Sequence, residues 1–261
     1  GDMRNTGIEL SLNADAIRTK DFDWNISLNL AHNENEVTRL SNDVFTMDKI
    51  LLGDVFIRGG SSSGTHVLEE GRPIGQFYGL VCNGIDENGR YIMVDKDGDG
   101  EISDPADYDY IGSAQPKLTY GITNTFRYKN FDLSFFLRGT IGNDILNATR
   151  MAYAQSGFLP GTNALDDPLT YTLSETPRFS NYYLEKGSFM RLDNLTLGYK
   201  IKALNGIRVY FTAQNLFVIT KYKGLDPEVP MDSGDGLTPG VEPREFYPKA
   251  RTFSVGLNLN F

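Results

Sequence analysis

Arg251-Thr-Phe-Ser-Val-Gly-Leu-Asn-Leu-Asn-Phe261 closes the chain, and its reading decides the fold. Phe253, Val255, Leu257, Leu259 and Phe261 occupy every second position, and Ser254, Gly256, Asn258 and Asn260 lie between them. Successive residues of a strand point to opposite faces, so a strand here has one apolar and one polar side. A tilted strand of about 9–11 residues is also long enough to cross a bilayer. A soluble sheet gives no reason to stop on such an aromatic residue, whereas a barrel whose last strand must pair with its first does. The expectation is an all-β protein whose antiparallel strands form part of a transmembrane β-barrel.

Working outward, the same alternation recurs in six further segments. Ile8, Leu10, Leu12, Ala14 and Ala16 are followed, after a short turn, by Phe22, Trp24, Ile26, Leu28 and Leu30. Leu118, Tyr120, Ile122, Phe126 and Tyr128 are joined across Lys129-Asn130 to Phe131, Leu133, Phe135 and Leu137. Leu195, Leu197, Tyr199 and Ile201 precede Ile207, Val209, Phe211 and Ala213. These patterns predict strands over 7–17, 21–33, 117–128, 131–141, 188–201, 206–217 and 250–261, with sequential strands paired as hairpins. Asn124 falls on the apolar side of its segment, and the pattern offers no reason for it.

The connections are unequal. Three are tight, while 34–116, 142–187 and 220–249 are far longer than ordinary loops. Outer-membrane barrels combine short periplasmic turns with long outer loops. Phe22, Trp24, Tyr128, Phe131, Tyr199 and Phe261 cluster beside the tight turns, where an interfacial aromatic girdle lies. Bacterial single-chain barrels have even strand numbers, so an odd set of strands is an incomplete wall. The start at Gly1-Asp2-Met3 fits that expectation of a piece of something longer. Glu9, Asp15, Arg127, Arg138, Lys200 and Arg208 should face the lumen, because charge facing lipid is costly. The competing architecture is a soluble β-sandwich, a glycan-binding module whose aromatics form a core. The direction in which Trp24, Phe135 and Leu257 face separates the two.

Composition narrows the function. A net charge of −9 argues against nucleic acid, whose phosphates require a basic surface. Cys82 is the single cysteine, so neither a disulfide framework nor a thiolate metal site is expected. His32 and His66 are the two histidines and are far apart, which leaves nucleophilic triads without support. Acidic residues are so abundant in the loops that no pair marks a glycosidase. No catalytic residue is expected.

The sharpest local motif is Asp95-Lys-Asp-Gly-Asp-Gly-Glu-Ile-Ser-Asp-Pro-Ala-Asp107. Asp95, Asp97 and Asp99 stand at positions 1, 3 and 5 of an EF-hand calcium loop, Gly100 at the turn and Glu101 where a backbone carbonyl would ligate. Ala106 replaces the closing glutamate, so Asp104 or Asp107 would have to complete the shell. Calcium is the expected ion, and a solvated acidic turn is the alternative.

Several stretches resemble the SusC/RagA family of TonB-dependent outer-membrane transporters of Bacteroidetes. They are Glu70-Gly-Arg-Pro-Ile-Gly-Gln-Phe-Tyr-Gly79, Ile111-Gly-Ser-Ala-Gln-Pro116, Ser188-Phe-Met-Arg-Leu-Asp-Asn-Leu-Thr-Leu-Gly-Tyr199, Gln214-Asn-Leu-Phe217 and Lys221-Tyr-Lys-Gly-Leu-Asp-Pro-Glu228, together with the terminal strand. The resemblance implies the C-terminal portion of a plugged barrel of about 22 strands. It also implies import of glycans or peptides across the outer membrane, a SusD-like surface lipoprotein as partner, and TonB acting through an N-terminal part. Phe253, Val255, Leu257, Leu259 and Phe261 then resemble the assembly signal of such barrels. Among the loop aromatics, Tyr78, Tyr153, Tyr182, Tyr183 and Tyr222 are the candidate substrate contacts. Packing of the loops against each other is the equally open alternative.

Overall fold

The computed structural model describes residues 1–41, 46–59, 64–204, 207–229, 236–244 and 247–259; Phe246 and Phe261 lie outside that set. Seven strands form one antiparallel sheet: β1 (Asp2–Arg18), β2 (Phe22–Arg39), β9 (Leu118–Tyr128), β10 (Phe131–Ile141), β13 (Phe189–Ile201), β14 (Ile207–Thr220) and β15 (Thr252–Asn258). They neighbour each other in that order, and the sheet does not close on itself. The long connections carry the rest: β3 (Lys49–Leu52), β4 (His66–Glu69), β5 (Gln76–Leu80), β6 (Cys82–Ile85), β7 (Tyr91–Met93), β8 (Tyr108–Ser113), β11 (Asp144–Leu146) and β12 (Leu184–Lys186). Two short helices join them, α1 (Ala148–Tyr153) and α2 (Pro168–Thr172). No helix among the described residues is long and apolar enough to cross a membrane, which says nothing about strands.

Register turns the sequence alternation into two faces. Leu12, Leu28, Ile122, Leu137 and Leu192 are successive cross-strand partners, as are Leu133, Leu197, Phe211 and Val255. The apolar rows therefore run unbroken from strand to strand. Along the same face Trp24, Phe126 and Phe135 stack with centroids 5.6 and 6.0 Å apart. On the edge strands of the isolated chain this face is bare, with Ile8 73% exposed, Leu257 62% and Val255 76%, while toward the cap Leu192 is buried. In a β-sandwich a second sheet would cover that face; among the described residues nothing does. An apolar face this broad needs a non-aqueous solvent, and a bilayer supplies it.

Asn124, the misfit of the pattern, has a partner on this face. The Trp24 indole N–H donates to its Oδ1 at 3.0 Å. An indole N–H cannot bond to hydrocarbon, so the amide satisfies it where water is absent.

β1 and β2 run to 17 and 18 residues, beyond what a bilayer requires. The added length, mostly polar and hence silent in the alternation, is held by Arg4–Glu36 and Arg39–Asp2 ion pairs and by buried Val37. β15 is described from Thr252 to Asn258, with Leu259 just past it, and the expected end at 260–261 lies outside the described residues.

Among the described residues most of the packed hydrophobic core lies outside the wall, though Val37 of β2 packs with Leu68 and Ile74. Val55, Ile57, Phe77, Ala114, Leu146, Met151, Leu169, Phe179 and Tyr183 form one buried cluster drawn from two of the long connections. Ile145, Tyr222 and Val229 tie the third connection to the second. The loops thus fold together as a cap on one end of the sheet. Local capping starts the helices: the Asn147 side chain accepts from the Arg150 N–H, and Asp167 accepts from the Leu169 N–H ahead of α2.

Candidate functional site

The face opposite the apolar rows is polar and paired. Arg208 grips Asp132 through Nε at 2.9 Å and Nη2 at 2.5 Å. Ser11 donates to Asn29, and Asn25 to Asn13 and Asp15. Among the expected lumen residues, Arg138 organises the densest cluster. It bonds Asp193 at 2.9 Å and meets Glu228 in a two-pronged contact. Glu228 also receives Arg191 and Lys249, each at 2.7 Å. Arg191 and Asp226, each 4% exposed, pair at 2.6 Å. Asp226 and Glu228 thus clasp the third connection to wall strands β10 and β13. The sequence reading placed Arg138 on the inner face but missed its partners, which lie 55 and 90 residues away. The inward arginines, followed by Asp226-Pro-Glu228, were the available hint.

The acidic motif forms a compact turn between β7 and β8. Asp95, Asp97 and Asp99 each bring a carboxylate oxygen within 4.8 Å of the others. Asp95 accepts from the Gly98 and Gly100 N–H groups at 2.6 and 2.9 Å, and Asp99 from the Glu101 N–H at 2.8 Å. Gly98 and Gly100, at φ of 78° and 88°, allow the chain to curl around the carboxylates. The other two candidates are engaged elsewhere. Asp104 pairs with Arg178 at 2.6 Å. Asp107 is buried and accepts from the Ser103, Lys96 and Asp97 N–H groups, which hold its carboxyl below the usual range. It supports the turn from behind.

The five candidate tyrosines do not gather at one place. Tyr78 packs against Tyr108 and Tyr110 with the Lys49 ammonium above its ring. Tyr153 lies under the Arg58 guanidinium. Tyr182 contacts Tyr91 and Tyr183, and the Tyr91 and Tyr183 hydroxyls meet at 2.5 Å. Tyr183 and Tyr222 are buried, and that burial raises both phenols far above their ordinary range. Rings so enclosed hold the cap together. Tyr78, Tyr153 and Tyr182 stay partly exposed.

Where the wall meets the cap, a cleft of about 480 Å³ is lined by His32, Asn33, Asn35, Gln76, Gln115 and Lys117 among others. Its polar lining is rich in amides, and His32 Nδ1 lies 2.6 Å from the Lys117 carbonyl.

Relatives bear out this architecture. The chain is 36% identical over 280 residues to the TonB-dependent receptor SusC of Bacteroides thetaiotaomicron, an alignment covering all of this chain and 27% of that protein. It is 32% identical over 307 residues to the TonB-dependent receptor P3 of Formosa agariphila, covering 29% of it. The fold superposes on the RagAB peptide transporter with a TM-score of 0.76 at 26% identity, over 98% of this chain and 29% of that one. No protein-family model matches. The chain therefore spans less than a third of the length of these relatives. An open antiparallel wall with one apolar and one ion-paired face, matched over the whole of this chain by such receptors, makes it similar to a β-barrel segment of SusC/RagA-like TonB-dependent receptors of the outer membrane.

Proposed function

We propose that the chain supplies part of the barrel wall and the outer cap of a TonB-dependent importer for glycans or peptides. Its long-loop end faces outward beneath a SusD-like lipoprotein, and TonB engages a part of the receptor outside this segment. The observation that carries the reading is the division of one sheet into a lipid-compatible face and an ion-paired lumen face. The RagAB likeness favours peptides, and the SusC likeness favours neither class by its name. Tyr78, Tyr153 and Tyr182, the candidate rings that stay partly exposed, would contact cargo in this reading. The test is uptake of labelled oligosaccharides and of labelled peptides by cells carrying or lacking the intact receptor, together with co-purification of its lipoprotein. Equal uptake of both probes with and without the receptor would refute import.

Calcium at the acidic turn belongs to the same proposal. Asp95, Asp97 and Asp99 offer hard oxygen ligands to a hard cation, the Glu101 carbonyl a fourth, and Asp104 a fifth on leaving Arg178. The ion would order the turn by neutralising carboxylates that repel one another. Affinity of ~10⁻⁴–10⁻³ M suffices outside the cell. Calorimetry on the intact receptor should show calcium heat that an Asp97→Ala, Asp99→Ala variant lacks. Identical traces for the two proteins would leave only an acidic turn.

A further inference from the structure

On the apolar face, a groove of about 460 Å³ opens at the cap end of β10, β13 and β14. Tyr120, Ile141 and Ile219 line it, along with Ser188, Lys186 and Lys221. Beside it, Gly139 leaves room for the Tyr120 hydroxyl: a Cβ there would meet the Phe189 carbonyl at 2.0 Å and the Tyr120 hydroxyl at 2.6 Å. Tyr120 spans that gap and donates to the Phe189 carbonyl at 3.3 Å. Ile141 and Ile219 are exposed on the face that belongs to lipid. Lys186 is 75% exposed and shares one contact with Asp144 at 2.7 Å, and Lys221, just past the end of β14, is exposed as well.

The notch joins mostly apolar walls, interrupted by Thr140 and Thr220, to two ammonium groups at its rim. Lysines at a membrane edge attract anionic headgroups, and phosphate is the anion that a membrane offers there. Two point charges at the mouth of an apolar slot therefore select an amphiphile over a free ion. We propose that the groove seats one membrane lipid with a phosphate-bearing, net anionic head, its acyl chain along Tyr120, Ile141 and Ile219 and its phosphate between Lys186 and Lys221. The inference rests on the membrane reading above but not on the cargo. Loss of lipid selectivity with uptake intact would therefore sink this proposal alone.

The test uses the intact receptor, exchanged into mixed micelles of phosphatidylglycerol or of phosphatidylcholine with the same acyl chains, and counts retained lipids by native mass spectrometry. Wild type should keep phosphatidylglycerol and release phosphatidylcholine. A Lys186→Gln, Lys221→Gln variant should bind phosphatidylglycerol about tenfold or more weakly. Neutralising Lys200 and Lys202, at the opposite end of the sheet, controls for general charge and should change nothing. Millimolar inorganic phosphate should not displace the lipid. Equal retention by the groove variant, equal loss in the Lys200→Gln, Lys202→Gln control, equal retention of phosphatidylcholine, or displacement by free phosphate would each overturn the proposal.

Discussion

At the scale of single residues, the wall is decided by how polar atoms find partners without water. Asn124 is the clearest case, because its amide caps the Trp24 indole on the lipid side. Asn124→Leu should cost about 1–3 kcal/mol by leaving that N–H unpaired. Adding Trp24→Phe should recover much of the loss. Unfolding of the intact receptor in detergent would show this, and an Asn124→Leu melt equal to wild type would refute the pairing. Glu228 is the second case. Burial pushes its carboxyl up, but Arg138 and Lys249 outweigh burial and hold it below the ordinary glutamate range. A depressed carboxylate lends stability that is complete above its unfolded pKa, about 4.3, and is lost as pH falls through the folded value. The melting-temperature gap between wild type and Glu228→Gln should therefore be constant above about pH 5 and shrink on further acidification. A gap independent of pH down to strong acid would contradict the clasp.

Elements decide assembly and local order. β15 pairs with β14 from Arg208↔Asn258 to Gln214↔Thr252. Deleting residues 256–261 removes the Gly256, Leu257 and Asn258 pairings and bares the β14 edge over nearly half that ladder. An unpaired strand edge is not tolerated in hydrocarbon. The truncated receptor should fail to reach the outer membrane, as read by fractionation and heat-modifiable mobility; normal levels would refute the role of this strand. The Arg4–Glu36 pair at the far end of the first hairpin, 68% and 38% exposed, should matter far less. Its removal by Arg4→Ala should change stability by under about 1 kcal/mol.

For the molecule as a whole, the two faces of the sheet meet different solvents. Leu12 and Ser11 are neighbours on β1, one on the apolar row opposite Leu28 and the other opposite Asn29. In the intact receptor, Leu12→Arg should cost about 2–4 kcal/mol, as a charge near the bilayer midplane does, while Ser11→Arg should cost little. Equilibrium folding into lipid vesicles measures both. Equal penalties would mean that the faces are wrongly assigned.

The sequence by itself determined the wall. Period-two alternation is local, so Phe253 to Leu259 or Leu118 to Phe126 announce a strand and its apolar side without any distant partner. The tight turns then set neighbour and register within the three hairpins, and the spacing of Asp95, Asp97 and Asp99 announced their turn. Only the tertiary structure decided the cap. Its core joins Phe77, Met151, Phe179 and Tyr183 through contacts that no periodicity encodes. The same holds for the clasp of Asp226 and Glu228 on Arg191 and Arg138, and for the enclosure of Tyr183 and Tyr222. It also settled Asn124, whose place in the pattern made sense only once β2 brought Trp24 beside it across 100 residues of chain. Alternation records which solvent a residue faces, but ion pairs and loop cores depend on which distant segment arrives opposite, and that is fixed when the long connections fold back over the wall.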